Sequence, residues 1–126
     1  MRENEHSYLI RKAIFNVYNG LGPGLLESVY QKVLIYELKE LGLEVQSEVP
    51  ITLIYNQIIF DCELRIDILV EDSVIIELKS VKELENVHYK QLLTYLKLAD
   101  KRLGILVNFN TDNILDSIKR VANKIV

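Results

Sequence analysis

The sequence predicts an α/β protein with a central mixed sheet of about four strands flanked by helices. Apolar residues follow helical spacing up to about residue 41, and between residues 44 and 80 they follow the spacing of strands. A helical segment then separates the last of these strands from a short apolar run. The predicted order is α-α-β-β-β-α-β-α, within one domain covering residues 1–126.

Two amphipathic helices are predicted first. The first carries an apolar stripe at Leu9, Ile10, Ala13, Ile14, Val17 and Leu21. The segment 20–23 ends it, and Pro23 suits the first position of a second helix, which runs to about Leu41 and ends at Gly42.

Three antiparallel strands are the simplest interpretation of residues 44–80, with turns at residues 55–57 and 71–73. The strand at 74–80, a helix at about 86–99 and an apolar strand at 103–108 then form a βαβ unit, for which we expect a right-handed crossover. A last amphipathic helix is predicted from the spacing of Ile114, Leu115, Ile118, Val121 and Ile125.

Composition narrows the class of protein. The chain is 49% hydrophobic and 26% charged, with no apolar run near the ~20 residues that span a bilayer. Its first residues lack the features of a secretory signal, so we expect a cytosolic protein without membrane partners. Cys62 is the one cysteine, which excludes intramolecular disulfides and argues against a thiolate zinc site. We interpret Cys62 as a small buried residue.

Charge is unevenly distributed. The net charge of −3 argues against indiscriminate adhesion to nucleic acid, but residues 79–126 carry more basic than acidic side chains. A face formed by these could attract phosphate, although solvated lysines on helices are the simpler interpretation. Its members would be Lys97, Lys101, Arg102, Lys119, Arg120 and Lys124.

Two carboxylates are predicted to meet on the hairpin of the second and third strands. If residues 71–73 form the loop, Val70 faces Val74 and Asp67 lies across from Glu77. Cross-strand neighbours lie about 5 Å apart, and like charges so placed destabilise a sheet unless a positive charge lies between them. A divalent cation would supply that charge.

Lys79 shares the face of Glu77 because strand side chains alternate. The apolar residues of the hairpin are predicted to pack on the other face, namely Ile66, Ile68, Ile76 and Leu78. Carboxylates that hold Mg²⁺ or Mn²⁺ can support phosphodiester hydrolysis, with Lys79 orienting or helping to deprotonate the attacking water. The alternative is an exposed hairpin in which Asp67 and Lys79 form a surface ion pair.

A third carboxylate is predicted on the second helix. Steps of three residues place Gly24, Glu27 and Tyr30 along one helical stripe. Apolar neighbours surround Glu27, and a buried carboxylate needs a partner, which a third position at a metal site would provide. A salt bridge or a partly solvated Glu27 is the alternative.

The later helix carries a polar stripe of His88, Gln91 and Tyr95 that could face the sheet. Gln91 could bind a metal-bound water or a phosphate, and Tyr95 a phosphate or a carboxylate. A solvated helix face is an equal alternative, and His88 is the weakest candidate because the chain has too few histidines for a cluster.

These segments together resemble the GxxExxY family, a branch of the PD-(D/E)XK nuclease-like superfamily. The matching segments, in order, are Gly24-x-x-Glu27-x-x-Tyr30, Arg65-Ile66-Asp67, Ile76-Glu77-Leu78-Lys79, Gln91-x-x-x-Tyr95-Leu96-Lys97 and Gly104-x-x-x-Asn108-Phe109. The chain departs from the pattern at Ile66, where the superfamily's name places a proline, and at Tyr18, where many relatives carry a histidine.

The resemblance implies a restriction-endonuclease-like core and a role for each motif. Asp67 and Glu77 would be metal ligands for Mg²⁺ or Mn²⁺, Lys79 the catalytic lysine, and Glu27 an additional acid of the metal site. Gln91 and Tyr95 would form an accessory motif on the later helix. The expected activity is hydrolysis of DNA or RNA, and the alternative is a catalytically silent module that binds nucleic acid or protein. Such a small domain could also form a homodimer.

Overall fold

Helices cover both faces of one sheet in this protein, whose computed structural model describes the backbone of residues 2–124 and the side chains of residues 4–124. The predicted α/β class with a mixed sheet is confirmed. The helices are α1 (Arg2–Leu21), α2 (Glu27–Glu40) and α3 (Asn86–Ala99). The strands are β1 (Val45–Tyr55), β2 (Ile58–Val70), β3 (Val74–Lys79), β4 (Leu103–Asn108) and β5 (Ile118–Ala122).

The sheet order follows the chain, β1-β2-β3-β4-β5. Neighbours are antiparallel except β3 and β4, which are parallel and joined through α3. The βαβ unit is therefore present as predicted. Val70 faces Val74 across the loop of residues 71–73, which confirms the predicted hairpin register at its closed end.

Each face of the sheet contributes to a separate apolar core. One core lies between the sheet and α1 and α2, and it includes Ile68, Ile76 and Leu78. The other lies under α3 and includes Ile75 and Leu106. Ile66 also packs into this second core, so its predicted position on the face of Ile68 is wrong. Around Asp67 the side chains of β2 no longer alternate regularly between the two faces of the sheet. Asp67 itself has no register partner on β1 or on β3.

The predicted last helix is wrong. Residues Ile114–Ser117 form one 3₁₀ turn, and β5 follows and pairs with the free edge of β4. Ile118 and Val121 share a face in a helix but lie on opposite faces of a strand, where they contact the first and second cores. Apolar side chains on either face of a strand here would enter a core. The spacing of the apolar residues therefore could not distinguish a helix from a strand. Ile125 lies outside the described residues.

The start of α2 also differs from the prediction. Pro23 and Gly24 lie in a bent segment, and the helix begins at Glu27, so Gly24 does not share a helical stripe with Glu27 and Tyr30. Gly24 has φ +97°, a conformation that glycine adopts at little cost. Below this segment the ring of Tyr30 stacks on Phe109, with centroids 4.3 Å apart.

The Tyr30 hydroxyl holds the bent segment in place. It donates a hydrogen bond to Gly22 O at 2.6 Å and accepts one from Leu25 N at 3.1 Å. One buried side chain thus fixes the path of the chain into α2.

Cys62 is exposed on β2, which corrects the predicted burial. It lies where β1 and β2 extend beyond β3, so its strand has no covering layer there. In the described part of the chain, no helix is both long enough and apolar enough to cross a membrane.

Candidate active site

Strands β2 and β3 part at Asp67 and Glu77. Their paired register ends at Ile68 and Ile76, and these two acids come next on the two strands. Side chains replace the ladder there: Asp67 N donates to Glu77 Oε2 at 3.0 Å, and Leu78 N donates to Asp67 Oδ2 at 2.9 Å. The structure therefore brings the two predicted carboxylates together and holds each against the other strand.

Burial sets the electrostatics of this pair. Glu77 is 5% exposed and Asp67 is half-buried. Burial, and then the charge of Asp67, raise the pKa of Glu77 to about 8. Burial also raises the pKa of Asp67, against the opposing effects of the Leu78 amide and the Lys79 charge. Two adjacent acids in this environment favour a bound proton or a bound cation.

Lys79 follows Glu77 on β3 and faces α3. Its Nζ donates to Gln91 Oε1 at 3.4 Å, and Gln91 Nε2 donates to Tyr95 Oη at 3.3 Å. The ion pairs within 4.0 Å among the described residues do not include Lys79, so the simple surface pair with Asp67 is not formed. Burial, and then the charges of Glu77 and Asp67, raise the pKa of Tyr95. Lys79, Gln91 and Tyr95 thus form a connected group beside the carboxylates.

Gly104 allows α3 to approach this group closely. A Cβ at this position of β4 would lie 2.9 Å from two carbons of Leu92, the residue that follows Gln91. Any larger residue would therefore force the buried Leu92 side chain to shift where the helix carrying Gln91 and Tyr95 packs on the sheet.

Glu27 lies at the edge of the site. Its side chain is exposed, as are Leu26 and Val29 beside it, which agrees with the alternative of a solvated Glu27 and not with a buried one. Its Oε2 accepts a hydrogen bond from Ser80 N at 3.4 Å, and Ser80 Oγ donates to Leu25 O at 2.7 Å. These contacts join the end of β3 to the start of α2.

Glu27 is close enough for its charge to raise the pKa of both Asp67 and Glu77. Among the side chains of residues 4–124, however, no three from His, Cys, Asp or Glu form a group that could hold a metal ion. The structure therefore brings Asp67 and Glu77 together and leaves Glu27 outside their direct contact.

His88 has a structural role that its spacing did not suggest. Its Nδ1 accepts a hydrogen bond from Glu85 N at 2.9 Å, as part of a capping box at the start of α3. The polar stripe of α3 thus divides into a cap at His88 and site-facing residues at Gln91 and Tyr95.

Two residues beside Asp67 were missed from the sequence. Gln31 of α2 donates from Nε2 to Asp67 O at 3.1 Å and to Glu48 Oε2 at 2.8 Å. Glu48 has φ +52°, and its charge raises the pKa of Asp67. Glu48 is the only charged residue of β1, which was a signal in the sequence. This signal could not place Glu48 beside Asp67 without knowledge of the register between β1 and β2.

Asn108 fixes the chain just after Lys79. Its buried side chain accepts from Val81 N at 3.0 Å and donates to Val81 O at 2.9 Å, so it extends the pairing of β3 and β4. Phe109 N also donates to Lys79 O at 2.9 Å. The Asn108-Phe109 motif therefore positions the carboxyl end of β3.

A cavity of about 700 Å³ lies beyond this end of β3. It is lined by Pro23, Lys82, Glu83, Leu84, Tyr89, Asn108, Asn110, Thr111, Asp112, Asn113, Asp116, Ser117 and Lys119. Neither Asp67 nor Glu77 lines it. Asn108, which is in register with Lys79 at the end of β3, is one of the lining residues, and the cavity offers lysine and amide groups together with acidic ones.

The predicted basic face does not form one surface at the site. Lys101 and Arg102 precede β4, beside the start of β3, whereas Lys79 is at the end of β3. Lys101 pairs with Asp72 at 3.1 Å. Of the predicted set, Lys119 is the member that lines the cavity.

The donors present fit a hard divalent cation. Mg²⁺ is commonly bound in proteins through one or two carboxylates, and water and phosphate oxygens complete its coordination. Among the described residues, hydrogen bonds reach Asp67 at Oδ2 and Glu77 at Oε2. Oδ1 and Oε1 receive none of these hydrogen bonds and could serve as ligand atoms. Burial, and then the charge of Asp67, raise the pKa of Glu77, and a positive partner would oppose both effects.

Comparison with known proteins gives one match. A family model described as the PD-(D/E)XK nuclease superfamily matches residues 4–121. No curated protein and no solved structure matches the chain. The mixed sheet with helices on both faces agrees with the restriction-endonuclease-like fold expected from the resemblance.

Proposed function

Because the chain belongs to the PD-(D/E)XK nuclease superfamily, we propose that it hydrolyses phosphodiester bonds of DNA or RNA with Mg²⁺ or Mn²⁺ held by Asp67 and Glu77. The superfamily supports nuclease activity, a nucleic-acid substrate and a divalent metal ion in general. One observation carries the more specific proposal: two adjacent carboxylates, the buried Glu77 and the half-buried Asp67, each accept a hydrogen bond from a backbone amide of the opposite strand.

Each residue of the site has a distinct proposed role. A bound divalent ion would act as a Lewis acid and stabilise negative charge on the phosphate. Asp67 and Glu77 would hold it, and the Lys79 ammonium would orient the attacking water or help to remove its proton. Gln91 keeps Lys79 in place through the 3.4 Å contact, and Tyr95 in turn contacts Gln91. Glu27, near the end of β3, would add negative charge at the edge of the site.

The cavity beyond β3 supports a nucleic-acid substrate. Lys82 and Lys119 can contact phosphates, while Asn110 and Asn113 offer amide donors and acceptors. Its acidic residues, Glu83, Asp112 and Asp116, weaken a purely electrostatic attraction. The cavity is therefore better suited to a short stretch of nucleic acid beside the carboxylates than to a long charged track.

We assign the chain to the GxxExxY branch of the superfamily as part of this proposal. Tyr30 and Gly24 support the assignment, because they fix the segment that brings Glu27 to Ser80. The replacement of the superfamily's proline by Ile66 leaves Asp67 in contact with Glu77.

A second candidate is a binding module without turnover on the same fold. The exposed position of Glu27 favours it, because the described residues contain no group of three metal ligands. Such a module would bind nucleic acid or protein near the cavity without cutting.

A cleavage panel tests the proposal. Single- and double-stranded DNA and RNA would be incubated with the protein in Mg²⁺ or Mn²⁺, and Lys79→Ala should lose cleavage while keeping the metal affinity of the wild type. Lys12→Ala, on the exposed surface of α1, is the matched control and should cleave normally. A wild type that cuts none of these substrates would favour the binding module, and cleavage by Lys79→Ala at the wild-type rate would contradict the role of Lys79.

A further inference from the structure

The hairpin of β1 and β2 extends beyond the rest of the sheet. Within the described chain, β2 pairs with β3 only from Ile68 to Val70, so the preceding part of β2 has an open edge. Every residue from 54 to 63 is exposed, and the turn at the tip is formed by Asn56 and Gln57, both with positive φ. A two-stranded ribbon without a covering layer is only marginally stable in water.

Both faces of the ribbon are apolar near the tip. Ile54 pairs with Ile59 on one face, while Leu53 with Phe60 and Tyr55 with Ile58 form the other. The five large side chains at the tip are 43–70% exposed: Ile54, Tyr55, Ile58, Ile59 and Phe60. Contiguous exposed apolar surface of this kind marks an interaction site.

The charge around the hairpin restricts the partner. Residues 49–60 carry no charged side chain, and residues 40–64 contain no Lys or Arg. The acids Asp61 and Glu63 follow the apolar stretch. Phosphate backbones and anionic membranes are attracted by basic groups, which this surface lacks. An identical ribbon would bring its uncharged tip, within residues 49–60, to this surface, so the acids Asp61 and Glu63 would meet no like charge at the tip.

A groove at the base of the ribbon complements its tip. A cavity of about 410 Å³ is lined by Pro50, Ile51, Thr52, Ile59, Phe60, Asp61 and Cys62. It lies where the register of β1 and β2 shifts between Ile51 and Leu53. In a two-fold arrangement, residue i of one copy meets residue j of the other, and the reverse contact also forms. Two antiparallel ribbons would thus each place a tip against the groove of the other.

The exposed area is sufficient for a dimer. A large side chain buries roughly 150–250 Å² when fully covered, so the five tip residues present on the order of 500 Å² in one copy. Two copies would bury about 1,000 Å² in total from these residues alone, which is the lower limit for a biological interface, and the groove residues Pro50, Ile51 and Thr52 would add to this area.

We propose that the β1–β2 hairpin is a homodimerisation arm, in which Ile54, Tyr55 and Ile58 at the tip of one copy pack into the groove beside Ile59 of a second copy. The proposal does not depend on nuclease activity, since neither Asp67 nor Glu77 is part of this surface.

Sedimentation of the 126-residue chain tests the proposal. The wild type should show a mass twice the 14.6 kDa of one chain, and dilution should shift it to monomer. Ile59→Lys places a charge in the apolar contact and should raise the dimer dissociation constant about a hundredfold or more. Tyr36→Lys is the matched control, because Tyr36 is a similarly exposed aromatic residue on α2 and should leave the dimer unchanged.

Circular dichroism and thermal melting of each variant confirm that it is folded, and Tyr55→Lys provides a second variant at the tip. A wild type that stays monomeric into the high-micromolar range would overturn the proposal. The apolar hairpin would then be a binding surface for a different protein. A dimer that persists in both Ile59→Lys and Tyr55→Lys would also overturn it, because the contact would then lie elsewhere on the chain.

Discussion

The amide of Asp67 donates a hydrogen bond to the carboxylate of Glu77, 3.0 Å away, at the point where their strands separate. The return bond runs from Leu78 N to Asp67 at 2.9 Å. Each acid is thus held by the backbone of the opposite strand, and the two carboxylates stay adjacent although their charges repel.

Stability without metal should fall as the pH rises from about 4.5 to about 8. The ordinary pKa of a Glu is 4.5, and in the folded protein that of Glu77 is raised to about 8. In this window the unfolded chain has lost the proton and the folded chain retains it, so unfolding becomes easier with rising pH, by up to about 1.4 kcal/mol per unit. The raised pKa of Asp67 adds a loss of the same sign.

Urea denaturation in EDTA at pH 5 and pH 8 measures this effect. Glu77→Gln keeps an oxygen that can accept the Asp67 amide but cannot ionise, so the variant should lose less stability between the two pH values than the wild type. Glu63→Gln, on the exposed hairpin, should follow the wild type. Parallel curves for the wild type and Glu77→Gln would show that Glu77 does not titrate in this range.

Tyr30→Phe should destabilise the protein by about 1–2 kcal/mol. The substitution keeps the stack on Phe109 but removes the hydrogen bonds to Gly22 O and Leu25 N. Urea denaturation measures the change. Tyr36→Phe, at an exposed position of α2, should have almost no effect, and equal stability of the two variants would contradict the role of the Tyr30 hydroxyl.

Asn108→Ala should cost about 1–3 kcal/mol and slow any cleavage that the wild type shows. The change leaves the amide and carbonyl of Val81 without their side-chain partner, and Val81 is two residues from Lys79. Hydrogen exchange at Val81 N should become faster. Asn19→Ala, on exposed α1, is the control, and unchanged exchange at Val81 would show that Asn108 does not hold this segment.

The meeting of Asp67 and Glu77 was predictable because a three-residue loop and strand periodicity fix the register of a short hairpin. The contact of Glu48 with the site was not, since it depends on a positive φ within β1 and on a side chain of α2. The entry to α2 was missed because the bent segment is held by Tyr30, a tertiary contact that local turn signals do not encode.

Strand β5 was missed for a related reason. Its apolar residues satisfy helical spacing as well as they satisfy a strand between two cores, and the free edge of β4 decides between them. Pairing with β5 gives hydrogen-bond partners to the backbone groups along that edge of β4. A helix at residues 118–122 would have left these groups without strand partners.

Calorimetric titration with Mn²⁺ at pH 8 tests the central claim, that Asp67 and Glu77 together hold a divalent ion. The wild type should bind Mn²⁺ and gain about 2.7 kcal/mol of stability at a free concentration one hundred times the Kd. Asp67→Asn and Glu77→Gln should each bind far more weakly, whereas Glu63→Gln should bind as the wild type does. Equal Mn²⁺ binding by the wild type and both site variants would contradict the account.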